Sequence, residues 1–593
     1  MPVQEWIHHW GEGAGLKAVR IMAAILGFIA LAAIYDRFTI YDLLSSENYS
    51  SEEAMETAQV ARNLSEGKGY TTDSIRPLTL HLLETAAEPG QSSKILAQPI
   101  PDLTTPPLFP AVLGGLMKVL PFQFEAKEYW AYQPDHWISI FNQVLLFAAT
   151  LLVFFLARAL FEPKVAWLSA VLFAGTDLFW RFSISGLSTV LVIVIFLCLC
   201  WCLVVMERKG REATEGTGLS LIPLAAVAGA LVASGGLTRY AFAWMIVPVL
   251  LFVALGVPRG RIKLSLTVAL VFVALMTPWL GRNLKASGHL FGTAGYALFE
   301  GTALFPDDTL ERSIEVEGRL HRVTPGDLAS KFLADARDSF TNDLPKIGGS
   351  WIAAFFIAGL LIPFRNAGLA KLRWFLLGSL LLLFLVQAMG RTHLSTDVPQ
   401  INSENLLVIL APPLFIYGAA MFNVLLEQLQ LPPFGVESAA VWAFAGVMCA
   451  PFLLTLLAPR AATSPSPYSP LHIAQTGRMM KTNEALMSDI PSGVAWYGRR
   501  SCVWLSLDDE NEFFKVNGFK PVQGLFLTQR TTDKPFLSQL KGNPRGWGHF
   551  ILECAEHSEI PVGFPLRKSP VGLLPEQLFL SDRDRWQELK VKP

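Results

Sequence analysis

Apolar runs of membrane-spanning length dominate the first three-quarters of the chain, separated by short charged connections. A bilayer core takes about 20 apolar residues per helix. Runs of that kind, with fuzzy ends, fall at 17–36, 135–158, 164–182, 187–206, 219–236, 239–256, 262–281, 348–364, 372–390, 405–425 and 437–458. The pattern predicts a polytopic α-helical bundle of about eleven transmembrane helices. A further run, 107–120, is short and flanked by Pro107 and Pro121. The first run follows Lys17 and Arg20 and lacks a small-residue cleavage site, so it reads as a membrane helix and not as a signal peptide.

Charge decides what the short run does. Basic clusters lie at Lys17/Arg20, Arg158/Lys164, Arg208/Lys209/Arg211, Arg259/Arg261/Lys263 and Arg365/Lys371/Arg373. All five face the cytoplasm together only if 107–120 does not cross the membrane. The run is then a juxtamembrane or re-entrant helix. The N-terminus is expected inside. Two long loops, about 37–134 and 282–347, and the chain beyond about 460 are expected outside.

That last region reads differently. A Pro/Ser/Ala-rich linker, Ala461 to Pro470, leads into a helix-like stretch, Leu471 to Met487. Short β-rich runs follow at Val494–Tyr497, Cys502–Leu507, Leu525–Thr528 and His549–Glu553, with a helical pattern at Asp509–Val516. The division expected is a transmembrane domain over 1–460 and a small extracytoplasmic α/β domain over 461–593.

Composition agrees with lipid as solvent: 16% of residues are charged, against about 25% in soluble chains. A net charge of −1 gives no field that would attract nucleic acid. Cys198, Cys200, Cys202 and Cys449 sit in apolar runs and read as filler. Cys502 and Cys554 lie in the extracytoplasmic region, where a disulfide is chemically possible. No Walker loop, zinc spacing or Ser-His-Asp arrangement is present.

Four short segments carry a resemblance. The first loop reads Glu52-Glu53-Ala54-Met55-Glu56-Thr57-Ala58-Gln59-Val60-Ala61-Arg62-Asn63-Leu64-Ser65-Glu66-Gly67-Lys68-Gly69-Tyr70. Ala54, Ala58, Ala61 and Leu64 form a helical stripe that Gly67 and Gly69 end. Thr105-Pro106-Pro107-Leu108-Phe109-Pro110 follows, then Gly236-Leu237-Thr238-Arg239-Tyr240, then Pro278-Trp279-Leu280-Gly281-Arg282-Asn283. In this order and spacing they resemble the GT-C superfamily of membrane glycosyltransferases, whose landmarks are an acid before a helix ending in A-R-N-L-x-x-G-x-G-Y, then H-P-P-L-Y-P, L-T-R-Y and P-W-x-x-R-N.

The resemblance implies a hexosyl- or pentosyltransferase that moves a sugar from a polyprenyl-phosphate carrier to a protein, lipid or glycan acceptor on the outer face. It implies Glu53 as general base, with Glu52 one residue away as the alternative. It implies Arg282 and Arg239 as ligands of the lipid phosphate, with Arg391 and His393 as further candidates. The plain readings of the same residues are an acidic first turn favoured by the helix dipole and arginines that anchor at the interface. With no retention signal evident, the expected location is a bacterial inner membrane, with the C-terminal region periplasmic.

Two segments depart from the family pattern. Gly186-Leu187-Ser188-Thr189 lacks the acid that the family often carries there, so no metal cofactor is expected. Glu404-Asn405-Leu406-Leu407-Val408 puts an acid where an Arg is usual. These departures keep open a catalytically degenerate subunit or lipid-sugar-binding scaffold. A transporter or flippase is the third reading. Ionisable residues at mid-membrane would favour it, whereas here polar residues crowd the helix ends.

Overall fold

The computed structural model describes residues 21–22, 25–35, 49, 51–87, 99–127, 132–212, 221–258, 260–347, 355–360, 367–390, 405–429, 435–457, 468–532, 545–557, 560–569 and 577–585. Among these, six helices are long and apolar enough to cross a bilayer: Gln133–Leu160, Thr189–Glu212, Arg261–Ser287, Gly368–Met389, Leu406–Gln428 and Val436–Leu456. The expected 164–182 span is a pair, Pro163–Ala174 and Asp177–Ile184, bent by 51°. The break falls at Gly175, where neighbouring Cys449 leaves no room for a Cβ. The 219–236 and 239–256 runs form the shorter helices Ile222–Thr238 and Tyr240–Gly256, and the first run contributes Ile25–Tyr35. Most of the run at 348–364 lies outside the described residues.

Small residues set the closest helix approach. A Cβ on Gly229 would stand 2.5 Å from the carbonyl oxygen of Val268, so Ile222–Thr238 lies against the backbone of Arg261–Ser287. At the basic end of the bundle, buried Glu207 pairs with Arg211 and Lys371, each at 2.9 Å. Lys371 Nζ also donates to the Gly256 carbonyl at 2.7 Å. The Glu207–Lys371 pair thus ties three helices at their ends, which keeps charge out of the membrane midplane.

The loops and the C-terminal region form the second body. The helix Leu108–Val119 packs under the loop helix Glu52–Ser65, with Gly114 facing the Ala61 carbonyl and Leu64. Described strands are β1 (Thr71–Thr72), β2 (Ser74–Ile75), β3 (Ile100–Pro101), β4 (Ala485–Ser488), β5 (Ser501–Trp504), β6 (Val522–Leu527) and β7 (Leu578–Ser581). The two loop strands β1 and β3 pair antiparallel. The larger sheet runs β2-β5-β4-β6-β7, parallel except for β7. Its edge strand β2 comes from the first loop. The core beneath it joins Leu78, Leu82 and Leu103 to Phe305 and Leu310, and both groups to Met487, Phe513 and Leu525. Residues of the loops 37–134 and 282–347 therefore share one apolar core with the C-terminal region. Burying these apolar surfaces together is the main force holding the three segments.

Several local expectations change. Val494–Tyr497 is not a strand: Pro491–Trp496 is a short helix with every residue buried, so no alternation marks it. His549–Glu553 lies in the helix Trp547–His557, whose Trp547 and Phe550 pack against Phe564. The helix begun at Pro470 ends at Arg478, and Ala485–Ser488 is the central strand β4. Buried on both faces, β4 shows no period of two. Cys502 and Cys554 are free thiols, one in β5 and the other in the Trp547–His557 helix.

A buried charge cluster links these parts. Glu56 of the loop helix accepts from Arg76 Nη2 at 2.7 Å and from Ser74 Oγ at 3.1 Å. Arg76 also donates to Glu311 at 3.1 Å. Burial outweighs the pull of this shared guanidinium and pushes the Glu56 carboxyl up to about 7, with Glu311 adding repulsion.

Two predictions follow from this packing. The folded state binds a proton on Glu56 that the unfolded chain has already released, so stability from this group is greatest below the ordinary carboxyl range. It declines as pH rises and is lost above about 7. Thermal unfolding in detergent should therefore be lower at pH 8 than at pH 5, and Glu56→Gln should shrink that difference; an unchanged difference would remove Glu56 as its source. Gly229→Val should destabilise the bundle by about 2 kcal/mol or more, because Val268 is met through its backbone and cannot swing away. An unfolding midpoint equal to wild type would show that the two helices part freely.

Candidate active site

The first-loop helix begins where its sequence says. Ser51 is extended (φ −89°, ψ 121°) and its hydroxyl accepts from the Ala54 N–H at 3.3 Å. Glu52 and Glu53 occupy the first turn, where the helix dipole favours carboxylates. The helix ends at Ser65, and Gly67 and Gly69 both take positive φ (80° and 75°) to turn the chain into β1.

Beyond this turn the four sequence landmarks meet. Asn63 Nδ2 donates to the Thr71 carbonyl at 3.1 Å. The Tyr70 hydroxyl donates to the carbonyls of Thr105 and Pro106, at 2.9 and 3.1 Å. Its ring stands edge-on to Trp279, with centroids 4.7 Å apart. Trp279 Nε1 donates to the Tyr240 hydroxyl at 2.7 Å, and Asn283 Nδ2 donates to the same oxygen at 3.3 Å. Segments separated by more than 200 residues thus converge on one point at the bundle end.

The expected site residues fall into three groups. Glu53 forms an ion pair with Arg239, joining the first landmark to the third. The Glu53 side chain is 45% exposed, that of Arg239 only 14%. Arg239 is the extended residue that ends the helix Ile222–Thr238. Glu52 faces the other way: it pairs with Arg530 and accepts from the Tyr468 hydroxyl at 3.2 Å. Arg282 is held by backbone. Its Nη1 donates to the Asp102 carbonyl and to Asn283 Oδ1, and its Nη2 donates to the Tyr70 carbonyl at 3.1 Å. The guanidinium also lies over the Trp279 and Tyr70 rings, 4.8 and 5.3 Å from their centroids. Arg391, His393 and Glu404 lie outside the described residues.

The structure adds residues that sequence reading did not single out. Asp102, just before the Thr105-Pro106-Pro107 segment, is buried and accepts from the Thr105 and Thr104 N–H groups at 2.9 and 3.4 Å. Burial pushes its carboxyl up, against the pull of these donors and of Arg282. Tyr468 and Arg530 had no motif to mark them. In the second-loop segment, Gly186 takes φ +76° against the Tyr49 ring, and the Leu187 carbonyl accepts from Asn142 Nδ2 at 3.2 Å. That segment supports its neighbours through its backbone. Among the described residues, no three His, Cys, Asp or Glu side chains group as a metal site.

Taken together, the site offers a solvent-reachable carboxylate and a neighbouring guanidinium at the end of the helix Ile222–Thr238. An aromatic and backbone cradle fixes a second guanidinium behind them. Such a set can take a proton and balance a phosphate charge.

Comparisons with known proteins bear on the fold. Residues 132–281, about a quarter of the chain, match the family of dolichyl-phosphate-mannose-protein mannosyltransferases. A search of curated protein sequences finds no significant match. Among solved structures, the archaeal oligosaccharyltransferase AglB of Archaeoglobus fulgidus aligns with a TM-score of 0.56 at 10% identity, covering 88% of this chain and 71% of that one. Another structure of the Archaeoglobus fulgidus oligosaccharyltransferase, tethered to an acceptor peptide, aligns with a TM-score of 0.54 at 11% identity, covering 88% and 70%. ArnT from Cupriavidus metallidurans in the apo state aligns with a TM-score of 0.51 at 11% identity, covering 95% and 98%. Identities this low speak to architecture alone, and the architecture agrees with the order of the four landmarks: the chain is a membrane protein of the GT-C fold, that of the GT-C superfamily of glycosyltransferases.

Proposed function

We propose that this protein is a glycosyltransferase that moves a sugar from a polyprenyl-phosphate carrier to an acceptor hydroxyl or amide at the outer membrane face. The observation that carries the reading is the Glu53–Arg239 pair, a half-exposed carboxylate beside a shielded guanidinium where the four landmarks converge. The AglB structure that aligns with this chain contains dolichol-phosphate and an inhibitory peptide, which motivates a lipid-phosphate donor here.

In this reading the acceptor X–H attacks the anomeric carbon and Glu53 takes its proton. The bond from carbon to the phosphate oxygen breaks, and its electron pair stays on the polyprenyl phosphate. Arg239 shares its donors between Glu53 and that phosphate. As it turns to the phosphate it releases Glu53, whose basicity then rises when the base is needed. Arg282 adds a fixed positive charge and keeps the first loop against the membrane helix. In this reading no metal is required, which the lack of a carboxylate in the second-loop segment Gly186–Thr189 supports. The acceptor is a protein, lipid or glycan, and the membrane is a bacterial inner membrane with the C-terminal region in the periplasm.

In nanodiscs containing labelled polyprenyl-phosphate sugars and total membrane lipid, wild type should release polyprenyl phosphate. Glu53→Gln should lower turnover about 10²-fold or more while leaving the unfolding temperature near wild type. Turnover that survives Glu53→Gln would exclude it as the base. Arg239→Gln should weaken donor binding as well as turnover, because its charge serves the phosphate in ground and transition states. Wild-type turnover should persist in excess chelator. Its loss there, restored by a divalent metal, would overturn the metal-free assignment.

A further inference from the structure

The two adjacent glutamates are held by different parts of the protein. Glu53 pairs with Arg239 of the membrane bundle, whereas Glu52 pairs with Arg530, nearly 480 residues away in sequence. Arg530 lies in the short helix Gln529–Thr532 that follows β6. Its Nη1 also donates to the Tyr468 hydroxyl at 3.1 Å, and that hydroxyl donates to Glu52 at 3.2 Å. The three groups close a triangle around the first turn of the loop helix.

The triangle is built into the C-terminal fold. Tyr468 is buried, and its ring covers Gly493 of the helix Pro491–Trp496. Arg530 stands on the Asp489–Thr528 cluster, in which buried Asp489, after β4, accepts from the Thr528 N–H and hydroxyl, each at 3.0 Å. Asp489 also adds to the negative field at Arg530. At the far end of the loop helix, Arg62 donates to the carbonyls of Trp496 and Ala495 at 2.7 and 2.8 Å. The C-terminal region thus grips the loop helix at both ends, and the grip at the first turn is one residue from the proposed base.

We propose that Arg530 and Tyr468 are positioning residues for the transfer reaction, acting through Glu52. By fixing Glu52 they set the rotation of the first helical turn, and with it the direction in which Glu53 projects. This rests on the transferase reading above, and it gives Glu52 the role of a strut in place of the alternative base. The C-terminal region is on this account a working part of the transfer site. A shift of about 1 Å in a catalytic group costs up to about 10²-fold in rate. Loss of the strut should therefore lower kcat while leaving donor affinity alone.

The test uses the full-length protein in nanodiscs with labelled polyprenyl-phosphate sugars, reading polyprenyl-phosphate release. Arg530→Gln, Tyr468→Phe and Glu52→Gln should each lower kcat between about 5- and 50-fold at unchanged donor KM and near-unchanged unfolding temperature. Arg530→Lys should recover part of the loss. The Glu52→Gln/Arg530→Gln double variant should be no slower than the worse single variant, because the residues act as one unit. A kcat equal to wild type in Arg530→Gln and Tyr468→Phe would overturn the positioning role while leaving the transferase reading intact. Glu52→Gln losing 10²-fold or more while Arg530→Gln stays active would make Glu52 the base and would also overturn it. A wild type inert with every donor would overturn both.

Discussion

A buried guanidinium has to be paired, and Arg62 meets that demand in a way that fixes how the membrane bundle and the C-terminal region meet. Its side chain is 2% exposed. Desolvation pulls against its charge, and two backbone carbonyls, the Trp496 ring and Asp73 at 3.9 Å compensate. Removing those carbonyls would strand a charge without water, so the loop helix and the helix Pro491–Trp496 cannot separate cheaply. Trp496 continues the chain of contacts, because its Nε1 donates at 2.8 Å to Asp135 at the head of the helix Gln133–Leu160. One guanidinium and one indole therefore connect the loop, the C-terminal region and the bundle.

The second constraint is the membrane boundary itself. Backbone leaving a helix there needs partners that lipid does not provide. Near the C-terminal end of Arg261–Ser287, the Arg282 guanidinium takes two carbonyls of the first loop while covering aromatic rings. The loop is thereby closed over the helix ends, and Glu53 meets Arg239 at the rim of that closure.

These arrangements were unequally legible in the sequence. Apolar length alone located the six long helices, because a bilayer imposes that length on any spanning helix. The break at Gly175 was not visible, since it depends on Cys449 approaching from a helix more than 250 residues later. The loop helix was readable from its alanine stripe and closing glycines, and Glu53 and Arg239 followed from the resemblance. Arg282 was named on the same grounds, but its tie to backbone carbonyls was not foreseeable from a residue type associated with phosphate. The strand assignment at Val494–Tyr497 failed because that segment is short and packed on all sides, which erases the period separating helix from strand, and His549–Glu553 is too short a piece of its partly exposed helix to show a helical period. Arg530 and Tyr468 were invisible for a simpler reason. Each gains its meaning from a partner hundreds of residues away, and no local pattern records such a pair.

The ion pairs also differ in how firmly they are held, and the difference has a physical sense. Arg62 and Glu56 are buried, and Arg76 is held between Glu56 and Glu311, so these charges cannot exchange partners without a large desolvation cost. The Glu53–Arg239 pair instead keeps its carboxylate 45% exposed, where water lowers the cost of parting, whereas Glu52 and Arg530 are braced by the buried Tyr468 hydroxyl. Braced charges thus sit where the loop helix must not move, and in the proposed reading the more easily parted pair, Glu53–Arg239, is the one for whose guanidinium a lipid phosphate would compete. A transfer site of the proposed kind, which holds the helix carrying its acid still and yet frees a cation for substrate, is served by that division.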